Sequence, residues 1–471
     1  MWKIRKLSWM MSINKALGCD PCFMLEKEWL MKLLIDSETP LNTRLSAKYK
    51  RSFAYLSMKD RAPLALTKVI DYLVRDKRGI EKTYGPGAIE EVKCAIGELS
   101  QLKNHLQTSK PFENFISKDP DTTTWNQHLE ARELHNEVNN YYESDWLFAE
   151  CYLYRRIRES FATKKLICSI DPFSVQKTQV LDSALDIMEP MFCYLYQSKL
   201  MDKQTVLPKD DLVNECVRLL KWCLWANKID LSFKPDLQEG GNIADAFLKI
   251  DQWDNKIVID NSEKVGLCCI EPGYKKVVDI VMDNAGLEML CDMTLADFLI
   301  SKCGVDLVNF HVKPIPWFVS DVIIRDFMQG VESIAKSERK HFKNIGLRWQ
   351  HYLDKGVWKL HADTYWCLGL PYQLMEETDP SLYKKLSRSS LIIFKGDLNY
   401  RKLVRDINWE PSTPFEKVLD CFRPAPLVTL RTLKAATVCG MNEQKAEELD
   451  ENDPNWWTSG NYALIQYCPD V

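Results

Sequence analysis

Acidic and amide side chains stand directly after several short β-branched runs of this sequence, and basic ones stand after another. The run 277–282 leads into Asp283-Asn284-Ala285-Gly286, and the run 305–312 leads through Lys313-Pro314-Ile315-Pro316-Trp317-Phe318-Val319-Ser320 to Asp321. The run 391–394 is followed by Lys395-Gly396-Asp397-Leu398-Asn399-Tyr400-Arg401, and the run 427–430 by Arg431-Thr432-Leu433-Lys434. Carboxylate and amide oxygens suit Mg²⁺ or Mn²⁺, which keep open positions for water and a phosphate. Arginine grips a phosphate through paired N–H bonds, and lysine acts on it as a point charge. Asp283, Asn284, Asp321 and Asp397 beside Arg401, Arg431 and Lys434 are therefore the inventory of metal-assisted phosphoryl transfer. Taken singly, each piece has an ordinary reading. Asp-Asn before a glycine makes a turn or helix cap, Asp321 caps its helix, Gly396-Asp397 is a loop, and Arg431 to Lys434 is a solvated helix start.

Only a particular fold brings these residues together. The short runs 256–259, 277–282, 305–312, 391–394 and 427–430 alternate with amphipathic segments such as 287–299 and 322–335. That alternation predicts βαβ units and a doubly wound, mainly parallel sheet, whose ligands sit beyond the carboxyl ends of the strands near the point where strand order reverses. Residues 60–230 read differently. Leu66, Val69, Ile70, Leu73 and Val74 recur at helical spacing, as do Ile89, Val92, Ile96, Leu99 and Leu102. The segments 146–157 and 212–225 repeat the pattern with many aromatics. The expected organisation is a disordered extension over 1–45, a large N-terminal all-helical domain over 46–245, and an α/β domain over 246–471. The helical half is expected to shape specificity without supplying metal ligands.

Composition narrows the function further. The 471 residues carry 62 Lys and Arg against 66 Asp and Glu, a net charge of −4, which gives no drive toward nucleic acid or an anionic membrane. No apolar run approaches the ~20 residues that span a bilayer. The 16 cysteines are scattered, and Cys94, Cys151, Cys216 and Cys223 lie in apolar helical patterns as small hydrophobes. A reducing compartment follows as the expectation: the cytoplasm, with the nucleus also open. The Cys19-Asp20-Pro21-Cys22 pair lacks the further ligands of a zinc site and reads as incidental. Competing signatures are missing: no phosphate-binding P-loop, no third glycine to complete Gly240-Gly241 as a dinucleotide fingerprint, no Asp-x-Asp at Asp260-Asn261, no Gly-x-Ser-x-Gly and no His-Glu-x-x-His.

At these residues the sequence resembles the metal-dependent damage-control phosphatases, in particular their acidic residue methyltransferase-1 branch, defined by an Arg-Thr-x-Lys motif. The stretches that carry the resemblance begin with Ser52-Phe53-Ala54-Tyr55-Leu56, Lys59-Asp60-Arg61 and residues 146–156, WLFAECYLYRR. They continue through Met282 to Gly286, Ile315 to Asp321, residues 394–403, FKGDLNYRKL, and Arg431-Thr432-Leu433-Lys434. The resemblance implies that Asp283, Asn284 and Asp321 bind a divalent ion, Mn²⁺, Ni²⁺ or Co²⁺, with Mg²⁺ as a further choice. It implies catalytic roles for Asp283, Asn284 and Asp397. It also implies substrate contacts from Asp283, Asn284, Asp397, Leu398, Asn399, Tyr400, Arg401 and Lys434. The expected substrate is a small phosphorylated metabolite, fructose 1-phosphate or a related sugar phosphate. The branch name also records methylation of protein glutamates by S-adenosylmethionine. No glycine-rich loop suited to that cofactor is visible, so methyl transfer to a protein substrate ranks second.

Overall fold

The β-branched runs of the second half form strands, and two unpredicted segments join them. In the computed structural model, which describes residues 34–202, 204–232, 250–271, 273 and 276–469, the strands are β1 (Ile257–Asp260), β2 (Val277–Val281), β3 (Leu307–His311), β4 (Trp358–His361), β5 (Leu391–Lys395), β6 (Leu427–Thr432) and β7 (Ala463–Cys468). They form one sheet in the order β1-β7-β6-β5-β2-β3-β4. Every neighbouring pair is parallel except β6 with β7. The chain builds outward from β2 through β3 to β4, then returns to place β5 on the other side of β2. The order therefore reverses between β2 and β5, and a doubly wound sheet opens its ligand crevice there.

Alternate side chains of each strand point to opposite faces. Val278, Ile280, Val308, Phe310, Leu391, Ile393, Val428 and Leu430 share one buried core with the helices Ser174–Gln197, Lys209–Ser232, Leu287–Lys302, Ile324–Ala335 and Lys340–Asp354. The Leu287–Lys302 helix, amphipathic by its spacing, is instead buried all round, Leu287 through Ser301, because its acids Glu288, Asp292 and Asp297 find partners in Lys395 and Arg348. On the opposite face Phe394 packs on Tyr372 at 5.2 Å and His311 on Trp366 at 5.2 Å.

Two compact units make up the chain. One comprises the residues up to Pro40 with Arg44–Ile170, and the other Leu41–Thr43 with Asp171–Val471. The sequence reading draws its boundary at 245/246 instead. Periodicity marks Ser174–Gln197 and Lys209–Ser232 as helices but does not say what covers their apolar faces, and what covers them is the sheet core. The first unit holds the helices Ala62–Arg75, Lys77–Tyr84, Ala88–Gln107, Thr122–Leu134 and Trp146–Ala162. Its Arg155 is fully buried, with Nε 2.7 Å from Asp121 and Nη1 2.8 Å from Glu159, so this charge holds its own unit together. Residues 34–45 are ordered rather than part of an extension: Ile35 N–H donates to Lys48 O at 2.8 Å and Leu45 is buried. Residues 1–33, including Cys19 and Cys22, and Gly240-Gly241 lie outside the described residues. The described cysteines are free thiols, and no described helix is long and apolar enough to cross a membrane.

A buried charge set at β2 and β3 gives the sheet a pH dependence. His311, fully buried, has Nε2 2.6 Å from Asp279 Oδ1 and Nδ1 3.7 Å from Asp363 Oδ2, and it stacks on His361. Burial disfavours its charge, but Asp279 and Asp363 outweigh that and hold its pKa above the ordinary 6.5. The folded protein thus binds a proton that the unfolded chain releases, and this stabilisation is complete below 6.5 and lost as pH rises through the higher folded value. Urea unfolding should therefore show the advantage of wild type over His311→Gln shrinking from about pH 6 to about pH 9. An advantage that grows with pH would contradict the assignment.

Candidate active site

The carboxyl end of β2 is tied to the loop after β3 by backbone bonds. Val322 N–H donates to Asp283 O at 2.9 Å, Ala285 N–H to Ser320 O at 2.8 Å, and Asn284 and Asp321 form an antiparallel bridge. The loop is strained to reach this position. Phe318 and Val319 have φ of 41° and 71°, and Ser320 N–H donates to Phe318 O at 2.9 Å, a three-residue turn centred on a β-branched residue. Such a conformation costs about 1–3 kcal/mol. The turn aims Ser320 Oγ at Asn284 Oδ1, 2.6 Å away, and brings Asp321 beside the end of β2.

The acids gathered here are buried, crowded together and only partly matched in direction by the lysines around them. Asn284 Nδ2 donates to Asp283 Oδ2 at 2.7 Å and to Glu288 Oε2 at 2.9 Å. Asp321 Oδ2 lies 3.2 Å from Lys313 Nζ as an ion pair but receives no well-directed hydrogen bond, and Lys313 Nζ also donates to Met282 O at 2.9 Å. Lys177, bonded to Asp171 and Asp326, reaches the Asp321 carbonyl at 3.4 Å. Burial, followed by the charges of Glu288 and Asp321, pushes Asp283 well above the usual carboxylate range. Burial pushes Asp321 up to about 6 against the pull of Lys313. Glu288 ends below its ordinary value: burial raises it, and Lys395 and two asparagine amides lower it by more. Crowded carboxylate oxygens with one undirected lone-pair site suit a hard cation.

The ends of β5 and β6 close the other side. Gly396 follows β5 at φ +84°, and a Cβ there would lie 2.0 Å from Asp283 Oδ2, so only glycine lets these strand ends approach. Asp397 Oδ1 accepts from Arg431 Nε at 2.8 Å. The guanidinium is further held by the carbonyls of Ala435 and Thr437 and lies 4.2 Å over the Tyr400 ring. Thr432 Oγ1 and Lys434 Nζ both donate to Asn227 Oδ1, and Asn227 Nδ2 donates to Glu288 Oε2 at 3.0 Å. The charge of Lys434 also reaches Asp283. Leu433 between them is buried, its N–H donating to Tyr462 O at 2.8 Å.

Asn227 and Glu288 are site residues that sequence reasoning missed, and for Asn227 a signal exists. The available signal is a lone amide ending the apolar stretch Trp222-Cys223-Leu224-Trp225-Ala226. Conversely, four expected substrate contacts turn inward. In the Gly396–Leu403 helix Leu398, Asn399, Tyr400 and Arg401 are each 6% exposed or less. Asn399 accepts from Tyr372 Oη at 2.6 Å and donates to Lys395 O, Tyr400 faces Cys439 and Gln466, and Arg401 pairs with both Asp406 oxygens at 2.7 and 3.0 Å. A short helix leaving a central strand is enclosed by the core, so these side chains find partners within the protein and help to position the turn at Gly396-Asp397.

Known proteins resemble this chain over most of its length. The family described as Damage-control phosphatase ARMT1-like domain matches residues 57–449. "Damage-control phosphatase ARMT1" of Mus musculus is 39% identical over 436 residues, covering 90% of this chain and 98% of the relative. The Homo sapiens protein of that name is 39% identical over 435 residues with the same coverages, and that of Danio rerio 37% identical over 433 residues, 90% and 96%. A solved structure of a DUF89 family protein from Pyrococcus horikoshii aligns over 82% of this chain and 94% of its own at 14% identity and a TM-score of 0.38.

Proposed function

This chain belongs to the ARMT1-like damage-control phosphatase family, and on that premise we propose that it hydrolyses sugar phosphates, fructose 1-phosphate or a close analogue, with a divalent metal held by Asp283, Asn284 and Asp321. The observation that carries this reading is the set of buried, crowded acid oxygens where the strand order reverses, among them Oδ2 of Asp321, which is ion-paired but receives no directed hydrogen bond. The donors are all oxygen, which fits Mn²⁺, Co²⁺, Ni²⁺ or Mg²⁺. When bound, such an ion supplies Lewis acidity toward a phosphate oxygen and lowers the pKa of a water.

The chain's own groups do the rest in this reading. Lys434, held by Asn227, presents a fixed ammonium to the phosphate oxygens, where charge builds in the transition state. Asp397, oriented by Arg431, accepts the proton of the attacking water. The new P–O bond forms to that water as the bond to the sugar oxygen breaks; the sugar oxygen takes up a proton from solvent and leaves as a hydroxyl, and Asp397 returns the proton it accepted to solvent. The test is phosphate release from a sugar-phosphate panel after chelation, followed by return of each metal. Activity should vanish with chelator and return with metal; full activity of Asp283→Ala in excess chelator would overturn the reading. Asn227→Ala, which frees the Lys434 ammonium, should lower kcat/KM about tenfold, the worth of about 1.4 kcal/mol. Carboxyl methylation of protein glutamates is the competing outcome, and calorimetric titration of the same preparation with S-adenosylmethionine decides it.

A further inference from the structure

We propose that Glu189, Cys193 and His341 form a second divalent-metal site, suited to Zn²⁺, made of other residues than the strand-end acids and of different chemistry. Glu189 and Cys193 stand four residues apart on the Ser174–Gln197 helix, so they lie one turn above the other on the same face. His341, in the first turn of the Lys340–Asp354 helix, reaches across to both. Its Nε2 is 2.9 Å from Glu189 Oε1 and 3.7 Å from Cys193 Sγ, and Cys193 Sγ is 3.6 Å from Glu189 Oε1. A tetrahedral zinc, with Zn–S of about 2.3 Å and Zn–N or Zn–O of about 2.0–2.1 Å, separates sulfur from either lighter ligand by about 3.5 Å and nitrogen from oxygen by about 3.3 Å. The two sulfur distances already match. The third, now a hydrogen bond, needs to open by about 0.4 Å.

The surroundings fit a metal with one open position. All three residues are partly exposed, which leaves room for a water as fourth ligand. Arg339 forms ion pairs with Glu189 Oε2 at 2.8 Å and Asp186 Oδ1 at 2.8 Å, so its charge lies behind the carboxylate and leaves Oε1 for the ion. A cavity of about 340 Å³ lined by Asp182, Asp186, Arg339 and Phe342 opens beside it. Sulfur, nitrogen and oxygen together select zinc over the harder ions that suit an all-oxygen set. The ion clamps the Ser174–Gln197 helix to the Lys340–Asp354 helix. The first of these also carries Lys177 against Asp321 and Val180 against Gly286.

Cobalt titration of the full chain tests this directly. A cobalt–thiolate charge-transfer band, with the visible bands of tetrahedral cobalt, cannot arise from Asp283, Asn284 and Asp321, which offer no sulfur. One equivalent should produce these bands in wild type and not in Cys193→Ser or His341→Ala, and Zn²⁺ should abolish them. Zn²⁺ should also raise the melting temperature of wild type but not of either variant, and protect Cys193 from alkylation as read by peptide mass. The absence of bands in wild type, or their survival in Cys193→Ser, overturns the assignment.

Discussion

Gly396→Ala should release phosphate at least about a hundredfold more slowly than wild type while remaining folded. The backbone at Gly396 has φ +84°, and the added methyl would meet Asp283 Oδ2 at 2.0 Å and its Cγ at 2.2 Å. Neither atom belongs to a flexible end. Asp283 is 8% exposed, its carboxylate bonded to Asn284 and its carbonyl to Val322 N–H. The carboxylate must therefore shift by something like an ångström, and a displacement of that size in a reacting constellation costs about 10² in rate. The left-handed conformation itself adds about 1–2 kcal/mol of destabilisation. Gly304→Ala separates the two effects, since Gly304 has φ +67° with nothing within 4 Å of its added Cβ. It should lose stability alone and keep its rate. Equal rates in the two variants would show that the approach of β5 to Asp283 has no part in catalysis.

The same strand ends show how far a sequence can be read here. Asp283, Asn284, Asp321, Asp397 and Lys434 each follow a strand or its loop, Arg431 stands at the end of β6, and β2, β3, β5 and β6 are mutually parallel, so naming the strands was enough to bring these residues to one edge. What completes the edge comes from elsewhere and leaves little trace. Asn227 looks like an ordinary polar position in a helical pattern until Glu288, Thr432 and Lys434 are seen around it. Helical spacing also cannot say that Ser174–Gln197 and Lys209–Ser232 cover the sheet rather than one another, which is why the unit boundary falls at 170/171. β4 is a four-residue edge strand in which only Trp358 is buried, and β7 runs against its neighbour β6, outside the βαβ logic that revealed the others. Arg401 looked like a phosphate ligand because residue type is visible in sequence, whereas its partner Asp406, five residues on, commits it to the scaffold.

Lys395→Met should have the largest effect on stability. Lys395 is the last residue of β5, 1% exposed, and its ammonium donates to Glu288 Oε1 at 2.9 Å, Asp292 Oδ1 at 2.7 Å and Cys223 O at 3.0 Å. One buried cation thus serves two carboxylates that are themselves 2% and 1% exposed. Removing it leaves both acids in the core, and breaking a buried pair in this way costs about 3–5 kcal/mol, a large part of the 5–15 kcal/mol typical of a domain. Burial already pushes Asp292 up to about 7 with the lysine present. Without it, native Asp292 holds its proton to higher pH than the unfolded chain does, so more protons are bound in the native state and stability falls as pH rises. Urea unfolding should accordingly find a larger deficit for Lys395→Met at about pH 8 than at about pH 6. Adding Glu288→Gln removes one of the two stranded charges and should recover part of the loss, a coupling that independent sites do not show. If Lys395→Met stays within about 1 kcal/mol of wild type at pH 8, the ion pairs to the Leu287–Lys302 helix are not what fixes the end of β5, and the placement of Gly396 against Asp283 must rest on apolar packing alone.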